Sequence, residues 1–317
     1  MNMKSVYCLI VLINVFSAAF QTVAGIYDFI PRHSQQVLQI NLDVLRGMEN
    51  LRDDMIRNVF RHSGIDNKKY NVNDFNSLVE KMVVVTPVLT EDLTFVLIRT
   101  RMPETEFCRR LEEVTGIRQK VVGTPPSRIR TITFTGSEIF PGLSTKKRTV
   151  SFVFLAPDIA VFAKDDLKAW NRFRDRGLPD QSRKKLAVPK ALAAGFLKTT
   201  PEFLADNPLL PQVVSASYSL SPGPANSLLI KAAASCADEK FADLTQKQFQ
   251  QYVMVGGIFL NQIDPELMQD WITSVRINRE KNRIFLNAFF TRQFLTRLEN
   301  ALDKLFENRK SMMENKG

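Results

Sequence analysis

The chain has 317 residues, 43 Lys plus Arg against 33 Asp plus Glu, a formal net charge of +10 and 44% hydrophobic residues. That balance belongs to a globular protein long enough to bury a core, as one large domain or two smaller ones, and excludes disordered and fibrous classes. Three cysteines, two histidines and 13 glycines rule out a disulfide scaffold, a histidine-rich metal centre and a collagen-like repeat.

Lys4 is followed by an apolar run from Val6 to Phe20, and small residues offer cleavage points at Ala19, near its end, and at Ala24, beyond it. This is the pattern of a secretory signal peptide, and the run is shorter than the roughly 20 residues that span a bilayer. Cleavage is expected after Ala24, with Ala19 as the second choice and an uncleaved anchor as the alternative. Removing residues 1–24 takes away only Lys4 among charged residues and leaves a net charge of +9. No later segment reaches membrane length, so the mature chain is expected to be secreted or periplasmic. Two cysteines remain, Cys108 and Cys236. They could pair in an oxidising compartment, but Cys108 falls on the apolar stripe of a helix, which favours a buried free thiol.

In chain order, Val37 to Leu42 alternates as a half-buried strand. Asp43 then caps a helix whose stripe runs through Val44, Leu45, Met48, Leu51, Met55, Val59 and Phe60 until Gly64 stops it. Met82 to Val85 and Phe95 to Thr100 read as paired strands. Pro103 opens a second helix carrying Phe107, Leu111 and Val114. Arg128 to Thr135, Thr149 to Leu155 and Ile159 to Ala163 are further strands, and a short helix from Asp165 to Phe173 closes this half.

The second half repeats the series. Ala191 to Leu197 is a strand, and Thr200, Pro201 and Glu202 start a short helix. Val213 to Leu220 and Ser227 to Ala233 are paired strands. A helix through Phe241, Leu244, Phe249, Tyr252 and Val253 leads to strands Ser274 to Arg279 and Arg283 to Phe290. A final helix carries Phe294, Leu298 and Leu302.

Met82–Val85 stands against Gln212–Ser215, Val96–Arg99 against Leu228–Lys231, and Ile159–Ala163 against Ile284–Ala288, at displacements of 125 to 132 residues. The expected fold class is α+β: two tandem repeats, 25–176 and 190–317, each a largely antiparallel sheet with helices on one face, joined by a basic linker at 177–189.

Chemistry is sparse. There is no Gly-x-Ser-x-Gly elbow, no Cys-x-x-Cys or His-x-x-x-His, and no phosphate-binding glycine loop. His62 reads as a helix-end residue and His33 as a loop residue without a triad partner. The carboxylate pairs Asp53–Asp54, Glu112–Glu113 and Asp165–Asp166 lie beside basic residues, as on a solvated face or cap. No catalytic, metal or cofactor residue is assigned.

Between Lys164 and Lys190, nine basic residues face four acidic ones. Arg172, Arg174, Arg176, Arg183, Lys184 and Lys185 make a speculative polyanion site, with a solvated linker as the plain alternative. The sequence therefore reads as a non-catalytic binding or structural protein of a cell envelope or extracellular space. Its partner would be a protein, or an anionic surface or polysaccharide; nucleic acid is the least favoured. The rival reading is a secreted hydrolase with a carboxylate pair between the repeats.

Overall fold

The computed structural model describes residues 25–47, 77–115 apart from 90 and 92, 118–123, 129–135, 147–205 apart from 165, 166 and 174, and 213–301 apart from 299. The expected signal segment, most of the expected first helix with His62, Asp53 and Asp54, the pair Asp165–Asp166, and Arg174 lie outside them.

The strands are β1 (Gln36–Asn41), β2 (Val79–Thr86), β3 (Phe95–Thr100), β4 (Lys120–Val122), β5 (Ile129–Thr135), β6 (Lys147–Ala156), β7 (Ile159–Lys164), β8 (Ala193–Lys198), β9 (Val213–Pro222), β10 (Leu228–Cys236), β11 (Val275–Glu280) and β12 (Arg283–Phe290). The helices are α1 (Leu42–Arg46), α2 (Glu104–Thr115), α3 (Asp180–Leu186), α4 (Pro201–Ala205), α5 (Glu239–Ile263) and α6 (Pro265–Ser274), and 3-10 turns occur at Ile26–Asp28, Leu167–Arg172 and Pro224–Asn226.

All twelve strands join one sheet in the order β11-β12-β10-β9-β8-β1-β2-β3-β7-β6-β5-β4, with every pairing antiparallel. Short hairpin connections make this arrangement natural. Outward from the central β1–β8 pair, the order runs 1-2-3-7-6-5-4 on one side and 8-9-10-12-11 on the other, so the first five positions on each side correspond and β5 and β4 extend one side only. A separate sheet for each half was the expectation. Instead the two first strands pair, Gln36–Ile40 against Ala193–Leu197, so backbone groups that would form two open edges satisfy each other.

The sheet's faces are covered unequally. On one face α2 lies over β2, β3, β6 and β7, where Phe107, Cys108 and Leu111 join Val79, Ile98, Phe152 and Ala160 in a buried cluster. The helix pair α5–α6 lies on the same face at the other end, with Leu260, Leu267, Val275, Ala288, Phe290 and Phe294. On the opposite face, the turns at Ile26–Asp28 and Leu167–Arg172 and helix α3 seal a third core of Val37, Val83, Val85, Phe95, Leu97, Val161, Trp170, Leu186 and Phe196. Helices do cover one face as expected. The second cover arises because the first half has apolar residues at alternate positions on both faces and must bury both.

The polar 177–189 segment therefore does more than connect. Its helix α3 buries Ser182 and Leu186 and packs against β8. Gln39, buried in β1, links this cover to the N-terminal turn: it accepts from Tyr27 Oη, and its amide donates to the Leu186 carbonyl at 3.4 Å. No helix among the described residues is long and apolar enough to cross a membrane.

Candidate functional site

Helix α5 begins at Asp238, whose side chain accepts from the Phe241 amide, and runs across β10, β12 and β11. It ends at Asp264, which accepts from the Glu266 amide and caps α6 in turn, with Pro265 in the first turn. The two helices approach closely because α5 carries Gly256 and Gly257 on the facing side. A Cβ at Gly256 would stand 3.3 Å from Trp271 Nε1, and one at Gly257 would stand 3.3 Å from Ile272 Cγ1. Trp271 uses that space to donate from Nε1 to the Val253 carbonyl at 2.8 Å, and its ring stacks on Phe290, which stacks on Phe294.

Beneath this helix pair the floor is made of small residues. Register puts Ala232 and Ala234 of β10 between Tyr218 and Ala216 of β9 and Leu286 and Ile284 of β12. Alanine leaves room where a larger side chain would meet the helix. The outcome is a cavity of about 330 Å³, floored by Ala216, Ala232 and Ala234, with Ile284 and Leu286 on one flank and Phe249, Tyr252, Val253 and Trp271 forming the roof. The indole nitrogen of Trp271 already has its partner, so the ring presents an apolar face. This volume is at the small end of the usual range for ligand sites, and the lining is the apolar kind that such sites favour.

The outer side of α5 is also apolar. Met254, Val255, Ile258 and Phe259 are between 52% and 62% exposed, more than a solvated helix face needs.

The residues singled out in the sequence are dispersed. Arg176 lies over the Trp170 ring at 4.8 Å from its centroid and donates to the Phe173 carbonyl. Arg183 donates to the Leu178 carbonyl at 2.6 Å and to Asp28 at 2.7 Å. Arg172 and Lys184 are exposed, whereas Lys185 is half-buried against Phe196. His33 is exposed and lies 3.6 Å from Asp175. Glu113 pairs with Arg109, and Glu112 accepts from the Gln119 amide. Cys108 and Cys236 are free and buried, and burial pushes the Cys108 thiol up to about 11 and the Cys236 thiol upward as well. Among the described residues, no group of three or more His, Cys, Asp or Glu is gathered as a metal set would require. The apolar cavity itself had no marker in the sequence beyond the run Ala232–Ala234 and the neighbouring Gly256–Gly257 pair.

No family model matches the chain, and none of the curated proteins compared with it matches in sequence. Among solved structures it is similar to TP0453. Crystal form III of that protein gives a TM-score of 0.51 at 11% identity, over 88% of this chain and 97% of the other. Crystal form I gives 0.48 at 12% identity, over 90% and 100%. At this identity the likeness defines a shared fold: a mixed helix-and-strand protein on a large antiparallel sheet.

Proposed function

We propose that this chain is an exported, non-catalytic binding protein, built by duplication of one α+β unit, that holds an apolar ligand such as an acyl chain between α5–α6 and the sheet. The observation that carries this reading is the cavity of about 330 Å³ with its apolar lining. Burying a methylene there is favourable by about 0.8 kcal/mol, and the described lining carries no carboxylate, histidine, lysine or thiol, with Tyr252 as its one ionisable side chain. Neither this cavity nor the second one, on the other face, is lined by a carboxylate among the described residues, so neither supports the hydrolase reading. The export element rests on the N-terminal apolar run. The duplication rests on the matched strand orders about the β1–β8 pair and on the sequence correspondences that fall on β2 and β9, β3 and β10, and β7 and β12.

The test is to fill the floor. Ala232→Leu places a larger side chain directly under the helix pair. Titration with a fluorescent fatty-acid probe should show saturable binding to the parent chain and at least about a tenfold loss in the variant, which corresponds to 1.4 kcal/mol. Equal binding by a variant that keeps its secondary structure would place the probe elsewhere and overturn the assignment.

A further inference from the structure

A second cavity lies on the reverse of the same strands and plays no part in the apolar site. By register, Ser215, Ser217 and Ser219 of β9, Lys231 and Ala233 of β10, and Arg283, Phe285 and Asn287 of β12 project to the face opposite α5 and α6. In the other half of the sheet, that face carries Val83, Val85, Phe95 and Leu97 under a continuous cover. Here its alternate positions are serine, lysine, arginine and asparagine, and α3 reaches only the near edge. Lys185 from α3 closes a cavity of about 260 Å³ with Ser217, Ser219, Lys231, Phe285 and Asn287.

Lys185 and Lys231 line this cavity, and two further cations, Lys198 and Arg283, lie near Lys185 outside its lining. The ammonium groups of Lys185 and Lys198 stand 6.0 and 5.6 Å from the centroid of the same Phe196 ring. The Arg283 guanidinium lies 5.0 Å from the centroid of Phe285, which also lines the cavity, and Lys231 stands at the rim. None of the four forms an ion pair with a carboxylate among the described residues. Lys185 holds its proton less tightly than an ordinary lysine, first because of burial and then because Lys198 and Arg283 are close. The hydroxyls of Ser217 and Ser219 and the Asn287 amide likewise make no hydrogen bond among the described residues. Like charges brought together without a counter-charge, beside free donors, form a site that an oxyanion completes.

We propose that this cavity binds the phosphate ester group of a small ligand, with Lys185 and Lys231 in its wall and Lys198 and Arg283 beside Lys185 supplying charge, and Ser217, Ser219 and Asn287 supplying hydrogen bonds. A dianion suits four cations drawn from a helix and three strands better than a carboxylate with its single charge, and lysine serves phosphate as a compact point charge. The site and the apolar cavity occupy opposite faces of β9, β10 and β12, so each can fill without the other.

Calorimetric titration of the full mature chain with glycerol 3-phosphate, at constant ionic strength set with sodium chloride, tests the proposal. Saturable binding is expected, weakened at least about tenfold by Lys198→Gln or Lys231→Gln. Lys184→Gln removes the same charge from an exposed position on α3 and should leave binding unchanged. Phosphatidylcholine vesicles with and without phosphatidic acid identify the source of the phosphate. Binding of the acidic vesicles that glycerol 3-phosphate displaces supports a lipid headgroup at this site, and binding of glycerol 3-phosphate alone supports a soluble ester. The proposal is overturned if neither binds, or if Lys184→Gln weakens binding as much as Lys198→Gln, since that is the signature of diffuse attraction.

Discussion

Asp28 ties together pieces of chain far apart in sequence. One carboxylate oxygen accepts from the Gly25 nitrogen at 2.5 Å and the other from Arg183 at 2.7 Å. Cleavage after Ala24 would turn that amide nitrogen into an ammonium group facing a carboxylate, strengthening a contact that already exists. N-terminal sequencing of the protein from its native source is therefore expected to begin at Gly25; a start at Phe20, after Ala19, would contradict this. Cys108 makes a second residue-scale case. Its folded-state value of about 11 lies above the ordinary 9.0, so the native state holds the thiol proton more tightly than the unfolded chain. The stability tied to the neutral thiol is full below about pH 9 and falls as the pH rises toward 11. Iodoacetamide should accordingly modify Cys108 slowly in the folded chain at about pH 8 and at an ordinary rate once denaturant is added. Equally fast reaction in both states would show an exposed thiol. At this scale the sequence was informative about Cys108, because the helical stripe containing Phe107 and Leu111 already placed it inward. It was uninformative about Lys185, whose neighbours Lys184 and Arg183 look identical on paper but lead to solvent and to Asp28.

At the scale of elements, the strands were legible wherever apolar and polar residues alternate, as in β1 and β9, or where β-branched residues cluster, as in β2. Helices α3 and α6 were not recognised, although Asp264-Pro265-Glu266 is a cap, a first-turn proline and an acidic first turn. The reason lies in the Gly256–Gly257 pair. Two adjacent glycines are weak helix formers and carry no side chain to mark a face, whereas in the structure they stay helical and admit the side chains of α6. Their role is directly testable. A valine at Gly256 must push against the Trp271 ring, now 3.3 Å from where its Cβ would stand. Although losing a helical glycine is favourable by up to about 1 kcal/mol, β-branching and overpacking at a tight crossing cost about 1–3 kcal/mol. Gly256→Val should be net destabilising in urea denaturation and should weaken the Trp271–Val253 hydrogen bond. A stability equal to or above that of the parent would mean the helices can separate at no cost.

For the whole molecule, antiparallel pairing and helices on a common face followed from strands that adjoin in sequence without intervening helices. The joining of both halves into one sheet did not, because the pairing of β1 with β8 unites segments more than 150 residues apart and backbone edges leave no local mark on composition. The candidate site is hidden for the same reason: Ala216, Ala232 and Ala234 become one floor only through register, and the roof comes from two helices further along the chain. A division of labour between faces results. One half of the sheet is sealed on both sides, while the other keeps an apolar cavity on one side and a polar, cationic one on the other.

The chain's two tryptophans allow the central assignment to be measured directly. Trp271 helps roof the apolar cavity, whereas Trp170 is 1% exposed in the core on the opposite face of the sheet. A fatty acid carrying a nitroxide on its chain should quench the fluorescence of a Trp170→Phe variant saturably, through Trp271. The same titration should leave a Trp271→Phe variant, which reports only on Trp170, almost unchanged. Equal quenching of both variants, or none in either, would contradict an acyl chain held beneath α5 and α6.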